Sequence, residues 1–249
     1  MDKAVLDLLH RLPQSNMTSN LAALRQLVPS EKAKDLLQAA EQPLGAAFDE
    51  EANKEFVCCE FNRDGDSFRS PWTNRYVPAR ENGHTPSPEL RALEEDANDI
   101  FNEYRRMYYA GGVSSVYMWS INDGFAACFA VKKEVGSRGA ACWDISHLVK
   151  AARNQDETFT YEISTTLILS ASSVLDSHAC GAFDLGGTIK RELRETAALG
   201  DGHIVNIGRI IEKVETNLRN MIGEVYIGKI RDAIHALRIP EEEIRPRGM

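Results

Sequence analysis

A chain of 249 residues with 43% apolar and 27% charged side chains has the composition of an ordinary globular protein. Its length supports one substantial domain or two small ones. The net charge of −8 excludes a chain drawn as a whole to nucleic acid or acidic lipid, so any basic interaction surface has to be local. Cys58, Cys59, Cys128, Cys142 and Cys180 form an odd set without CxxC spacing, which suits reduced cytosolic thiols rather than a secreted disulfide framework. Asp2 and Asp7 interrupt a leucine run too short for a signal peptide, and nowhere do about 18 consecutive apolar residues occur, so no membrane span is expected.

Pro13, Pro29 and Pro43 punctuate a Leu- and Ala-rich stretch over residues 1–55. Proline ends helices, so this spacing predicts three short helices, each with one apolar stripe such as Val5, Leu8, Leu9 and Leu12. Residues 56–112 open with turn-rich runs, Asn62-Arg63-Asp64-Gly65-Asp66, Arg69-Ser70-Pro71-Trp72 and Glu81-Asn82-Gly83-His84, which predict short strands or reverse turns. Helical periodicity follows from Ser87 to Tyr109, with Leu90, Leu93, Ala97, Ile100, Phe101 and Tyr104 on one side and Gly111-Gly112 as the stop.

Residues 113–202 read as an antiparallel meander of five strands. Ser115–Ile121 runs into Asn122-Asp123-Gly124, a hairpin signal because these residues tolerate positive φ. The next strand carries Phe125, Ala127, Phe129 and Val131 on one face and the small Ala126, Cys128 and Ala130 on the other, which invites close approach by another element. Trp143–Val149 and Thr158–Leu169 follow, the latter alternating cleanly with Phe159, Tyr161, Ile163, Thr165, Leu167 and Leu169 on one face. A fifth segment near Gly181–Ile189 is broken by glycine. Over residues 203–249, Ile204, Ile207, Ile211, Val214, Leu218, Met221 and Val225 keep alternating spacings of three and four, a seam about 32 Å long. A coiled coil would use such a seam, but the uncovered apolar face of the meander favours a helix laid across the sheet. A short helix follows and ends at Pro240. The fold class is α+β, one integrated domain.

No catalytic residue, metal ligand or cofactor is assigned. Glu60, Asn62, Asp64 and Gly65 match the opening of a calcium loop, but its twelfth position, where a bidentate Glu belongs, is Pro71, so a structural turn is expected. The six histidines make no HExxH or Cys/His cluster, and no phosphate, dinucleotide or nucleophile-elbow motif occurs. Nothing reactive converges in the sequence, so an enzyme is not expected.

Several blocks resemble one family. They are Leu12-Pro13-Gln14 after Arg11, Gln42-Pro43-Leu44, Asn62 through Trp72, and Gly111-Gly112-Val113-Ser114-Ser115-Val116-Tyr117. Gly124-Phe125-Ala126, Cys142-Trp143-Asp144, Leu185-Gly186-Gly187 and Asn206-Ile207-Gly208-Arg209 continue the series in family order, from about residue 4 to residue 238. The chain is identified by them as a member of the F-actin capping protein beta-subunit family. The resemblance implies an alpha/beta heterodimer with N-terminal helices as a stalk and one continuous antiparallel sheet to which each subunit gives five strands. It also implies capping of the actin filament barbed end in the cytoplasm and cytoskeleton, and capping of the actin-related filament of dynactin. Arg219 and Arg209 are the implied actin contacts, although Asn217 stands where a lysine is usual. Arg11, Tyr76 and Arg191 match positions that bind capping-protein-interaction-motif peptides, the alternative being solvated charges and a packing tyrosine. Arg238-Ile239-Pro240-Glu241-Glu242-Glu243 cannot extend an amphipathic helix, so the family's C-terminal tentacle is expected to be missing, which raises a second reading, a scaffold that keeps the heterodimer fold with weak capping or none.

Overall fold

The computed structural model describes residues 11, 17–27, 29, 43–136, 141–156, 158–174 and 182–224, and the statements below concern these. Strands β6 (Val113–Ile121), β7 (Gly124–Val135), β8 (Ala141–Arg153), β9 (Thr158–Val174) and β10 (Ala182–Ala198) pair in chain order as one antiparallel sheet. They follow helix α1 (Met17–Leu27), the hairpin β1 (Gly45–Asp49) and β2 (Lys54–Cys58), the small strands β3 (Arg63–Asp64), β4 (Ser67–Arg69) and β5 (Tyr76–Val77), and helix α2 (Pro88–Tyr109). Helix α3 (His203–Ile222) closes the order. The expected α+β class and five-stranded meander are present. Of the three N-terminal helices expected, α1 is described; the other two, and everything after residue 224, lie outside the described residues.

Local chemistry accounts for the element ends. Ser87 caps α2 by accepting the Leu90 N–H, and Pro88 sits where its missing N–H costs nothing. The helix stops one residue before the expected glycines, with Ala110 in the left-handed region at φ 49°. The β6–β7 hairpin turns at Asn122–Asp123, pairing Ile121 with Gly124. A Cβ on Gly124 would lie 2.0 Å from the Ala151 carbonyl, so only glycine fits there.

The alternating residues of the sheet separate two unlike faces. On one, Phe125, Ala127, Phe129, Val131, Ile145, Val149, Tyr161, Ile163 and Leu167 form a single core with Leu90, Ala97 and Phe101 of α2 and Ile207, Ile210, Ile211, Val214 and Leu218 of α3. The seam of α3 therefore packs on the sheet and not in a coiled coil. On the other face, Ala126, Cys128 and Ala130 are fully buried or nearly so, and the β1–β2 hairpin lies over them through Val57. Ser115 Oγ accepts the Val57 N–H at 2.9 Å, Tyr117 donates to the Val57 carbonyl, and Asp144 Oδ2 accepts the Leu44 N–H at 2.9 Å. The close approach expected from the small residues is realised by this hairpin. The hairpin crosses residue 55, which falls inside β2, so β1 and the start of β2 lie in the stretch expected to be helical.

Two expectations needed correction. The fifth strand is not a short glycine-broken piece: β10 has 17 residues and pairs with β9 along all of them. Beyond Ile189 it runs through Lys190, Arg191, Glu192, Arg194 and Glu195, charges that suit an edge strand but hide it from an apolar-pattern reading. The seam of α3 also contains a buried glutamate, Glu215, that apolar periodicity passes over.

The outer edge of β6 is closed by side chains of α2. Asn98 accepts the Val116 N–H at 2.8 Å and donates to its carbonyl at 2.9 Å, while Glu94 Oε2 accepts the Met118 N–H at 2.6 Å. Glu94, fully buried, also takes both Arg69 guanidinium nitrogens at 2.7 Å and one from Arg91. The former calcium-loop candidates serve the same junction. Asn62 accepts from Cys59 N and donates to the Val57 and Arg69 carbonyls, and Asp64 pairs with Arg80 at 2.9 Å.

Removing one partner of a buried ion pair leaves the other charge without compensation. Glu94→Ala should therefore lower stability in urea by about 3–5 kcal/mol. Glu103→Ala, which removes the exposed pair with Arg106, should cost under about 1 kcal/mol. Equal losses in the two variants would show that Glu94 does not organise the junction.

Candidate functional site

The outer surface of the helical layer collects the residues that the fold leaves unused. Between α2 and α3 runs a groove of about 280 Å³ lined by Ile100, Tyr104, Met107, Tyr108, Ile204 and Gly208 among others. Ile100, Met107, Tyr108 and Val205 are large apolar residues 43–73% exposed, where single exposed apolar groups are ordinary but a contiguous set marks a contact surface. Gly208 has open space where a Cβ would be, which keeps the groove floor low. Arg209 is exposed on α3 beside Gly208, one helical turn from Val205.

Arg219 stands ten residues further along, about 15 Å down the axis and about 80° around it. It is not a free surface cation. Its guanidinium lies 4.8 Å from the Tyr109 ring centre and 5.4 Å from that of Trp143, and it donates to Glu215 Oε2 at 3.1 Å. About a third of its side chain remains exposed. Glu215 is buried and meets His147 Nε2 at 3.1 Å through its other oxygen, and His147 Nδ1 is 2.8 Å from Thr165 Oγ1. Tyr109, Trp143, Arg219 and Lys133 line a cleft of about 230 Å³. Among the described residues the Tyr109 hydroxyl, Trp143 Nε1 and Arg219 Nε are buried without a hydrogen-bond partner. Burial raises the Tyr109 phenol pKa far above its ordinary range, and the Glu215 charge raises it further. Thr165 and His147 are fully buried and Glu215 nearly so, so this row of polar groups ties α3 to the sheet from within.

The three peptide-contact candidates do not converge within one chain. Arg11 is exposed in a turn. Tyr76, on β5, donates its hydroxyl to the His84 carbonyl at 2.8 Å and packs over Gly83. Arg191 lies on β10, its guanidinium donating to the Lys190 carbonyl at 2.8 Å and reaching Met221 Sδ at 2.9 Å. The β3–β5 sheet meets the main sheet at β6, where Arg69 lies over the Tyr117 ring, so Tyr76 and Arg191 sit at opposite edges. Four strand spacings, roughly 19 Å, separate those edges. Sequence reasoning missed Glu215, His147 and the α2–α3 groove. Ile100 was grouped with the apolar side of α2 and Met107 was not singled out, yet both are exposed, which depends on where α3 lies.

Glu215 supplies a pH signature. Burial pushes its carboxyl upward, yet hydrogen bonding and charge from His147, with Arg219 adding to them, outweigh burial and hold it below its ordinary 4.5. A depressed carboxyl stabilises the fold above the unfolded pKa, and that contribution is lost as pH falls through the folded value. The urea midpoint of the wild type should therefore fall more steeply below about pH 4.5 than that of Glu215→Gln. Parallel curves would remove Glu215 from the acid response.

The chain matches the family model of the F-actin capping protein beta subunit over residues 2–234. It is 42% identical to the F-actin-capping protein subunit beta of Arabidopsis thaliana over 254 aligned positions, covering 98% of each chain. Identity to the subunit of the same name is 41% in Drosophila melanogaster, with 94% of this chain and 85% of that one aligned. In Dictyostelium discoideum it is 38%, with 94% and 87% aligned. Among solved structures, the homodimeric actin capping protein alpha subunit from Plasmodium berghei shares the fold at a TM-score of 0.50 and 12% identity, covering 88% of both chains. Similarity at this level and coverage places the chain in the F-actin capping protein beta-subunit family.

Proposed function

We propose that this chain is the beta half of a cytoplasmic alpha/beta heterodimer that caps the barbed end of actin filaments and catalyses no reaction. The observation that carries the reading is near-full-length similarity to proteins named as the beta subunit of F-actin capping protein. Two features of the fold support it. The β10 edge, an outer strand among those described, can extend the sheet into a partner, and the α2–α3 groove offers apolar anchors with Glu212 in its lining and Arg209 exposed on α3 next to Gly208. Apolar anchors ringed by charge suit a protein surface better than a small substrate.

In this reading Arg209 contacts actin directly, whereas Arg219 contributes through the exposed part of a guanidinium fixed by Glu215, Tyr109 and Trp143. Arg11, Tyr76 and Arg191 are the proposed contacts for capping-protein-interaction-motif peptides. Because Tyr76 and Arg191 lie at opposite sheet edges, a peptide touching both has to be extended. Capping of the actin-related filament of dynactin would use the same face as capping of actin.

Barbed-end elongation from filament seeds, titrated with the heterodimer, tests the proposal. Arg219→Glu is a poor probe because it would set a second carboxylate against buried Glu215; Arg209→Glu is the informative variant. Wild type should block elongation. Arg209→Glu should slow association several-fold at low salt, with the difference shrinking as salt rises, because rim charges act mainly on the on-rate. Ile100→Ala should mainly speed dissociation. A wild-type heterodimer that leaves elongation unchanged at micromolar concentration would replace capping with the scaffold reading.

A further inference from the structure

Two of the chain's five cysteines meet where the hairpin layer lies on the sheet. Cys128, on β7, is fully buried with Val57 and Ala130. Cys59, the residue after β2, packs against the same cluster and stays partly exposed. The Cys128 thiol donates a hydrogen bond to the Cys59 sulfur, so the two sulfur atoms are in contact although they lie far apart in the chain. The Cys59 sulfur also accepts the N–H groups of Phe61 and Asn62, and Asn62 Oδ1 in turn accepts the Cys59 N–H at 2.9 Å.

These contacts set Cys59 apart from the other described cysteines. The Cys128 hydrogen bond, opposed by burial and supplemented by the Phe61 and Asn62 N–H groups, holds the Cys59 thiol below its ordinary pKa. Burial pushes the Cys58 thiol up to about 11 and the Cys142 thiol up to about 12. Cys128 is raised far above the ordinary thiol range by its bond to Cys59 and by burial. One partly exposed sulfur with thiolate character therefore touches one buried thiol, the arrangement of an attacking and a resolving cysteine. We propose that Cys59 and Cys128 are a peroxide-sensitive pair that closes to a disulfide and staples the segment after the β1–β2 hairpin to β7.

The co-reactant is a hydroperoxide, of which hydrogen peroxide is the simplest. The Cys59 sulfur attacks the O–O bond, which breaks; Cys59 becomes a sulfenic acid, and the departing hydroxide takes up the thiol proton and leaves as water. The Cys128 sulfur then attacks the Cys59 sulfur. An S–S bond forms, the S–O bond breaks, and the Cys128 proton leaves with the hydroxyl as a second water. Two thiols lose two electrons and two protons, and the peroxide gains them. Cys128 is fully buried, so the oxidant reaches Cys59 first. The sulfurs close from contact to about 2.05 Å, a shift that the turn at Glu60–Asn62 takes more readily than β7, which is paired on both sides. The bond closes a loop holding β3, β4, β5, α2 and β6, which restricts the unfolded chain. None of this rests on the heterodimer reading, so either can fail alone.

The test treats the reduced full chain with hydrogen peroxide, blocks the remaining thiols in denaturant, and reads intact mass and proteolytic peptides. Wild type should become two hydrogens lighter, with three of its five thiols still free to be blocked, and should yield a peptide linked through Cys59 and Cys128. Its urea midpoint should rise by about 1 M and return when dithiothreitol is added. Cys58→Ser should keep the disulfide. Cys128→Ala, which matches the neighbouring Ala126 and Ala130, should lose it and accumulate a Cys59 sulfenic acid that dimedone traps. Cys59→Ser should lose both products. The urea midpoint of each reduced variant shows whether it folds, and the linked wild-type peptide does not depend on any variant. A Cys58–Cys59 bond in place of the expected one, equal disulfide yield from the urea-unfolded chain, no disulfide in wild type, or an unchanged midpoint after oxidation would overturn the proposal.

Discussion

The architecture turns on how α2 meets the edge of β6. Glu94 and Asn98 are buried, and their polar atoms bond the outward backbone groups of Val116 and Met118. Such side chains end a sheet as a further strand would, but they cannot be extended. The same glutamate draws in Arg69 and Arg91, which ties the turn-rich segment to the helix and the helix to the sheet. A buried carboxylate is costly unless its acceptor sites are filled, and here they are. That requirement explains why Asn62 through Trp72 is so specific a block. Its residues exist to deliver Arg69: Asn62 holds the Arg69 carbonyl, and Asn74 receives a second bond from its guanidinium.

Among the described residues β6 is bonded by side chains and β10 is the other edge of the sheet, and this asymmetry links fold to assembly. A protein that joins a partner through a sheet needs one open edge and one shut, or it polymerises. The charges on β10 restrain indiscriminate pairing. At the helical layer, α3 is fixed to the sheet by apolar contacts and by the chain from Thr165 through His147 and Glu215 to Arg219. Its outer side is thereby held in place as a rigid rim to the groove it forms with α2. Positioned apolar anchors of that kind bind protein surfaces without first having to be ordered.

Much of this was legible in the sequence where one physical rule dominates. The period of two in Thr158–Leu169 and the three–four seam of α3 are consequences of one-sided burial, so they gave the meander and its covering helix. The small face of β7 likewise signalled close approach by another element, but not that the element is the β1–β2 hairpin, which begins inside a stretch expected to be helical. The misses share a cause: they depend on groups brought together from far apart in the chain. Glu215 interrupts an apolar seam for the sake of His147, 68 residues away, and Glu94 makes sense only beside Arg69 and Met118. Beyond Ile189, β10 is charged because it is an edge, and edge status belongs to topology rather than to local pattern. Arg219 was singled out as a contact residue by resemblance, but its commitment to Glu215 and two aromatic rings appears only in three dimensions.

The central claim is that one sheet edge is closed within the chain and the other is completed only by a second strand. Residue-resolved amide hydrogen exchange tests it directly, comparing the chain diluted to its monomeric form with the chain in an assembled form. The amides of Val116 and Met118 should be slow in both states, because Asn98 and Glu94 hold them in the monomer. Alternate amides along β10 should exchange quickly in the monomer and become protected on assembly. Rapid exchange at Val116 and Met118 in the monomer, or new protection on β6 with none on β10, would contradict the account.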